Sequence, residues 1–231
     1  MESNQNQSTK ISLSQLHNQT VALTMERQDV FSELVEDLSW SFDMISGTVT
    51  FGDYSFRMQM LGTYSEEQQS WLWAWANKQS GIPEEFLQAA LAMKEIGERN
   101  GIEDLVTAKI ETDQDPGHYF SFVANGLIKS SCYAPLTFNN IKVYVLLNSE
   151  LVDNKKITDP ALICSHFAKT ISRMDFGHKH GLFCYLNQKG YEVKLSEDTI
   201  LGEKDKDQIL GSFDTNGRLL KITNSKIETA V

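Results

Sequence analysis

Near residue 39 the spacing of apolar side chains changes from a helical period to strict alternation, and this change constrains the fold most. Before it, Val30, Phe31, Leu34, Val35 and Leu38 recur at helical spacing within residues 12–38, and Ser12 with Gln15 forms a capping box. After it, "SWSFDM", "TVTF", "SFRMQMLGTY" and "SWLWAWAN" alternate, separated only by Ser46-Gly47, Gly52-Asp53 and the polar "SEEQQ". Parallel strands need long crossovers, so connections this short demand an antiparallel meander.

The same logic extends along the chain. Pro83, followed by Glu84 and Glu85, opens a second helix that stops at Asn100-Gly101. "VTAKIET" and "IKVYVLL" read as strands, with a third helix after Asp115-Pro116 between them. Asp159-Pro160 opens a fourth helix, running to about Met174. The strands "GLFCYL", "YEVKL", "QILGSFD" and "RLLKIT" follow, the last two joined by the hairpin pair Asn216-Gly217. The expected class is α+β, with antiparallel meander sheets packed against about four helices. The expected organisation is a disordered tail over 1–11, a core with the Trp-rich meander over 12–150, and a helix plus antiparallel strands over 151–231 packed on that core. "FDMISGTVTF" (42–51) and "FDTNGRLLKI" (213–222) echo each other, as a degenerate repeat would.

At 231 residues the chain can bury a sizeable core. Apolar runs such as Val143–Leu147 fall far short of the roughly 20 residues of a bilayer span, and the polar "MESNQNQSTK" lacks the pattern of a signal peptide. No membrane association is expected. A net charge of −10 opposes phosphate neutralisation, so nucleic acid is not an expected partner. Cys132, Cys164 and Cys184 form an odd set without a C-x-x-C pair, which points to a reducing cytoplasm. Cys132, read as lying at a helix end, is the thiol expected to be exposed.

No phosphate-cradling glycine loop, zinc-hydrolase helix or serine elbow occurs. His178 and His180 would share one side of a strand and could chelate, with Cys164, His166 and Cys184 nearby in sequence. His166 falls on the apolar face of its helix with Ile163, Phe167, Thr170 and Ile171, where a buried, hydrogen-bonded imidazole is the ordinary outcome. In "TDQDPGH", Asp113, Asp115 and His118 could serve acid–base chemistry, although Asp115 also suits a helix cap. None of these amounts to a catalytic or metal-binding set, and no cofactor or metal is expected.

That leaves the tryptophans. On a strand over 70–77, Trp71, Trp73 and Trp75 share one face, and Leu72, Ala74 and Ala76 the other. The thin face suits a closely approaching helix, such as the one bearing Gly97. The indole face suits either a core or a ligand platform. If there is a pocket, it is expected where Trp73, Trp75 and Asn77 meet Tyr64, Arg57 and the helix bearing Gly97 and Glu98, with Arg57 as an anchor for an anionic group.

"GTVTF" at 47–51, "LGTYS" at 61–65, "WLWAWAN" at 71–77 and "EIGERNGI" at 95–102 resemble a bacterial family, domain of unknown function 6882. The later "VYVLL" and "FDTNGRLLKI" fit the same pattern, giving a likeness over about residues 20–225. The resemblance implies a cytoplasmic bacterial α+β protein and brings no catalytic residues with it. The favoured function is a non-enzymatic module that binds a small molecule or a protein. The alternatives are a hydrolase or transferase using the Asp/His groups, and a toxin-neutralising or defence-associated partner protein.

Overall fold

A computed structural model describes residues 10–227. Helix α1 (Leu13–Val35) starts at Ser12 with both halves of the capping box formed. Four strands follow, β1 (Trp40–Asp43), β2 (Thr48–Phe51), β3 (Tyr54–Ser65) and β4 (Ser70–Trp73). Then come α2 (Gln88–Asn100), α3 (Glu103–Val106), β5 (Lys109–Glu111), α4 (Gly117–Ile128), β6 (Cys132–Phe138) and β7 (Ile141–Asn148). The remainder is α5 (Glu150–Asp153), α6 (Pro160–Arg173), α7 (His178–Gln188) and the strands β8 (Glu192–Leu195), β9 (Thr199–Lys204), β10 (Asp207–Phe213) and β11 (Leu219–Lys226). The class is α+β, with seven α-helices and two antiparallel sheets among the described residues. Of the expected tail, residues 1–9 lie outside the described residues, while Ile11 packs against the core.

Strand β3 organises the first sheet. One edge pairs with β7 from Arg57 to Ser65. The other edge pairs with β2 over Tyr54–Arg57 and with β4 over Gly62–Ser65. The β1–β2 hairpin and the β4–β5 pair therefore sit end to end along one strand. Strand β6 lies outside β7, with Pro135 on the edge, where a missing N–H costs no ladder bond. Helix α1 covers that edge. The Gln28 side-chain amide donates to Tyr133 O at 3.0 Å and accepts from Tyr133 N at 3.2 Å, standing in for a neighbouring strand.

Two apolar clusters result. One holds Trp71, Trp73, Phe120 and Tyr144 of the first sheet's surroundings together with Phe167, Tyr185, Ile200 and Phe213 from beyond residue 150. The other lies on the opposite face of β3 and β7, where Met58, Met60, Val145 and Leu147 meet Phe31, Phe51, Phe56 and Phe86. A buried ion pair crosses the first cluster. Glu26 of α1 accepts from Lys189 Nζ at 2.6 Å, Tyr185 OH at 2.5 Å and Ile157 N at 3.0 Å.

Two local readings change. "GLFCYL" is helical, because Leu182, Tyr185 and Leu186 are buried at helical spacing, and so short an apolar run fits either period. Gly97 does not receive the thin face of the Trp strand. A Cβ there would lie 2.6 Å from Leu105 Cβ and 2.9 Å from Val106 Cγ1, so its role is the tight approach of α3 to α2. The two Phe-Asp hairpins use the same turn chemistry: Asp43 Oδ1 accepts from Ile45 N at 2.9 Å, and Asp214 Oδ1 from Asn216 N at 2.9 Å. They join the first and second strands of one sheet but β10 and β11 in the other.

His17 carries a pH dependence. It stacks on Tyr119 at 4.7 Å, and its Nε2 is buried without a hydrogen-bond partner. Burial pushes its pKa from 6.5 down to about 4, opposed only in part by Asp175. Between those values the unfolded chain holds a proton that the folded chain does not, so stability falls as pH drops through that window. The full effect is about 3 kcal/mol, at roughly 1.4 kcal/mol per unit. Urea unfolding at pH 7 and pH 4.5 should show most of it in the natural chain. In His17→Phe the loss should be smaller by that amount; an unchanged pH slope would mean that His17 is not held neutral.

Candidate functional site

The tryptophans do not form a ladder. Strand β4 ends at Trp73, and Ala74–Ala76 turn into a 3₁₀ helix, so Trp75 leaves the register. Trp71 and Trp73 are fully buried and pack edge to face at 5.4 Å, each against Phe120. The Trp73 indole N–H donates to Asp104 O at 2.9 Å. Gly62, opposite Trp73, makes room for this pair, because a Cβ there would lie 2.2 Å from the Trp71 ring. The indole face is sealed.

The opposite face is open. Thr63 of β3 stands between Val143 on β7 and Leu72 on β4, Ser65 stands between Ile141 and Ser70, and Leu72 pairs onward with Lys109. These residues face away from the tryptophans because strand side chains alternate. They form part of a groove of about 620 Å³, whose floor includes Met60, Leu72 and Val143. Phe42 and Met44 of the β1–β2 hairpin and Phe138 form an apolar side, and Asn77, Gln79, Ser80 and Ile82 lie on the segment after the 3₁₀ turn. Met60 also belongs to the second cluster, so the groove is an uncovered extension of that core. Its volume lies within the range of small-molecule sites. Phe138 and Ile141 are exposed at 41% and 45%, which leaves apolar surface in contact with water.

The six residues singled out from the sequence are dispersed around this arrangement. Asn77 lines the groove. Trp73 and Tyr64 belong to the sealed side, with Tyr64 OH donating to Thr112 O at 3.3 Å. Trp75 is half-buried beneath Lys94, whose Nζ lies 4.6 Å from the ring centroid and 3.7 Å from Glu98 Oε1. Arg57 is exposed and pairs with Thr48 and Asn148, at the other end of β3 from the residues opposite β4. Five residues of strand place it about 16 Å from Gly62.

The acid–base candidates are engaged locally. Asp115 accepts from Tyr144 OH at 2.7 Å, Gly117 N at 2.9 Å and Lys142 Nζ at 3.3 Å. His118 Nδ1 shares a hydrogen bond with Tyr133 OH at 3.0 Å, and burial lowers its pKa. Asp113 is exposed and joins neither bond. His178 and His180 lie in the first turn of α7 rather than on a strand, so they diverge by about 200°. His178 Nδ1 accepts from Leu219 N at 3.1 Å, while His180 meets Cys184 one turn on at 3.5 Å. His166 is buried, with Nε2 at 3.0 Å from Ala22 O. Cys132 is buried at the start of β6 rather than exposed at a helix end, and burial drives its thiol pKa upward; that of Cys184 is pushed up to about 11. Such thiols are poor nucleophiles.

The groove residues Phe42, Met44, Met60, Leu72, Phe138, Ile141, Val143 and Lys109 were not legible as a site. Each occupies an ordinary apolar, turn or alternating strand position, and only tertiary packing brings the β1–β2 hairpin and the 77–82 segment around a common space.

Residues 14–150 match the family described as "Family of unknown function (DUF6882)". The matched stretch takes in the first sheet and every residue lining the groove, and it ends before the 213–222 hairpin. No curated protein and no solved structure matches the chain.

Proposed function

The chain belongs to the DUF6882 family of unknown function, and from that premise we propose that it is a non-enzymatic binding module whose ligand is a small, largely apolar molecule held in the groove. One observation carries this reading: a cavity of about 620 Å³ with an apolar floor opens on the face of the sheet opposite the sealed tryptophans. Burying apolar ligand surface there yields on the order of 25 cal/mol per Å², and neutral side chains around the floor can orient a polar group. A bacterial cytoplasmic setting completes the reading, supported by the family likeness and by three free thiols.

Nile red, an uncharged apolar dye, provides the test. It should bind the natural chain with a rise in emission. Thr63→Trp places an indole in the groove and should weaken binding at least tenfold, a loss of roughly 1.4 kcal/mol. Thermal unfolding of this variant should stay close to that of the natural chain, because the added ring enters open space. Unchanged dye affinity in a folded Thr63→Trp protein would overturn the proposal.

A further inference from the structure

Resting on the assignment of the groove as the ligand site, we infer that its ligand is uncharged, a long-chain molecule with a hydroxyl or amide head, and that Glu111 enforces this selectivity. The polar lining consists of hydroxyls and carboxamides: Thr63, Ser65, Ser70 and Ser80, with Gln68, Asn77 and Gln79. Lys109 is the one charged lining residue among those described. Its Nζ lies 2.9 Å from Glu111 Oε1, so the cation already has a partner. Glu111 stands in register with Ser70, on the same side of β5 as Lys109 but outside the groove lining, so an anionic head that reaches the Lys109 ammonium competes with the Glu111 carboxylate.

Both signs of charge are thereby disfavoured. An anionic head must displace Glu111 from Lys109 or sit beside its carboxylate. A cationic head on the apolar floor finds no free carboxylate among the lining residues and loses hydration without replacement. A hydroxyl or amide finds donors and acceptors of its own kind at modest desolvation cost.

Length follows from the strand rows. Val143, Thr63, Leu72 and Lys109 lie on four adjacent strands, so the floor spans three interstrand steps, about 14 Å. An extended alkyl chain of roughly ten to twelve carbons covers that distance, given C–C bonds of about 1.5 Å. Met44 and Met60 supply flexible side chains that adapt to such a chain.

Three ligands with the same twelve-carbon tail test the inference by displacing Nile red: dodecan-1-ol, dodecanoate and dodecyltrimethylammonium, each used below its aggregation threshold. The alcohol should bind at least about tenfold more tightly than either ion. Glu111→Gln should release Lys109, bringing dodecanoate to within about threefold of the alcohol while leaving the alcohol unchanged. Equal binding of all three tails, or no gain for dodecanoate in Glu111→Gln, would overturn the selectivity. If Nile red binds in the groove and none of the three displaces it, the ligand class is wrong and the groove assignment stands. If Thr63→Trp leaves Nile red binding unchanged, the groove assignment itself fails.

Discussion

Trp73→Ala is expected to lose about 3–5 kcal/mol of folding stability, the cost of deleting a fully buried aromatic and leaving its cavity. The ring has no solvent exposure, packs on Trp71 and Phe120, and its indole N–H is bonded to Asp104 O at 2.9 Å. Trp75→Ala is the contrast. That ring is only half-buried, its indole N–H has no partner, and its cation contact is with a surface lysine, so about 1–2 kcal/mol should be lost. Denaturant unfolding of the two variants gives the ordering directly. Equal costs would mean that the three tryptophans act as one register. Trp73→Phe, which keeps most of the apolar bulk, should leave Nile red affinity unchanged, because the dye site lies across the sheet.

Glu26→Ala should be as damaging, at about 3–5 kcal/mol, because it strands a buried cation. Lys189 would keep only its bond to Ile157 O at 2.6 Å, while Tyr185 OH and Ile157 N would lose their acceptor. The pair Glu26→Leu with Lys189→Met removes both charges and should recover much of that loss, since apolar replacements of buried ion pairs are often neutral or better. An exposed pair behaves differently. Glu98→Ala breaks the contact with Lys94 at 3.7 Å and should cost no more than about 1 kcal/mol. If Glu26→Ala and Glu98→Ala cost the same, the buried pair of Glu26 with Lys189 does not hold α1 to α7 and residue 157.

Much of the fold is legible in local chemistry. Ser12 with Gln15, Asp159 before Pro160 and the Asn216-Gly217 turn act on their own neighbours, so their elements can be read without tertiary context. Strand β6 is harder, because Pro135 argues against a strand until the position is known to be an edge covered by Gln28. Helix α7 is missed because its short apolar run fits two periods. The site is harder still. The spacing of Trp71 and Trp73 announces a shared face, but nothing local states which face another element will cover. The bulky face is covered by α4, through Phe120, and the thin face at Leu72 is left open. Of the six candidate residues, only Asn77 lines the groove, through a turn that takes Trp75 out of the strand.

Methionine methyl resonances distinguish the two faces in one experiment. Met44 and Met60 line the groove, whereas Met25 and Met93 are buried in the cluster that contains the tryptophans. In protein labelled at the methionine methyls, titration with dodecan-1-ol should shift Met44 and Met60 progressively and leave Met25 and Met93 in place. Shifts confined to Met25 and Met93, with Met44 and Met60 unmoved, would place the ligand on the tryptophan side and contradict the account.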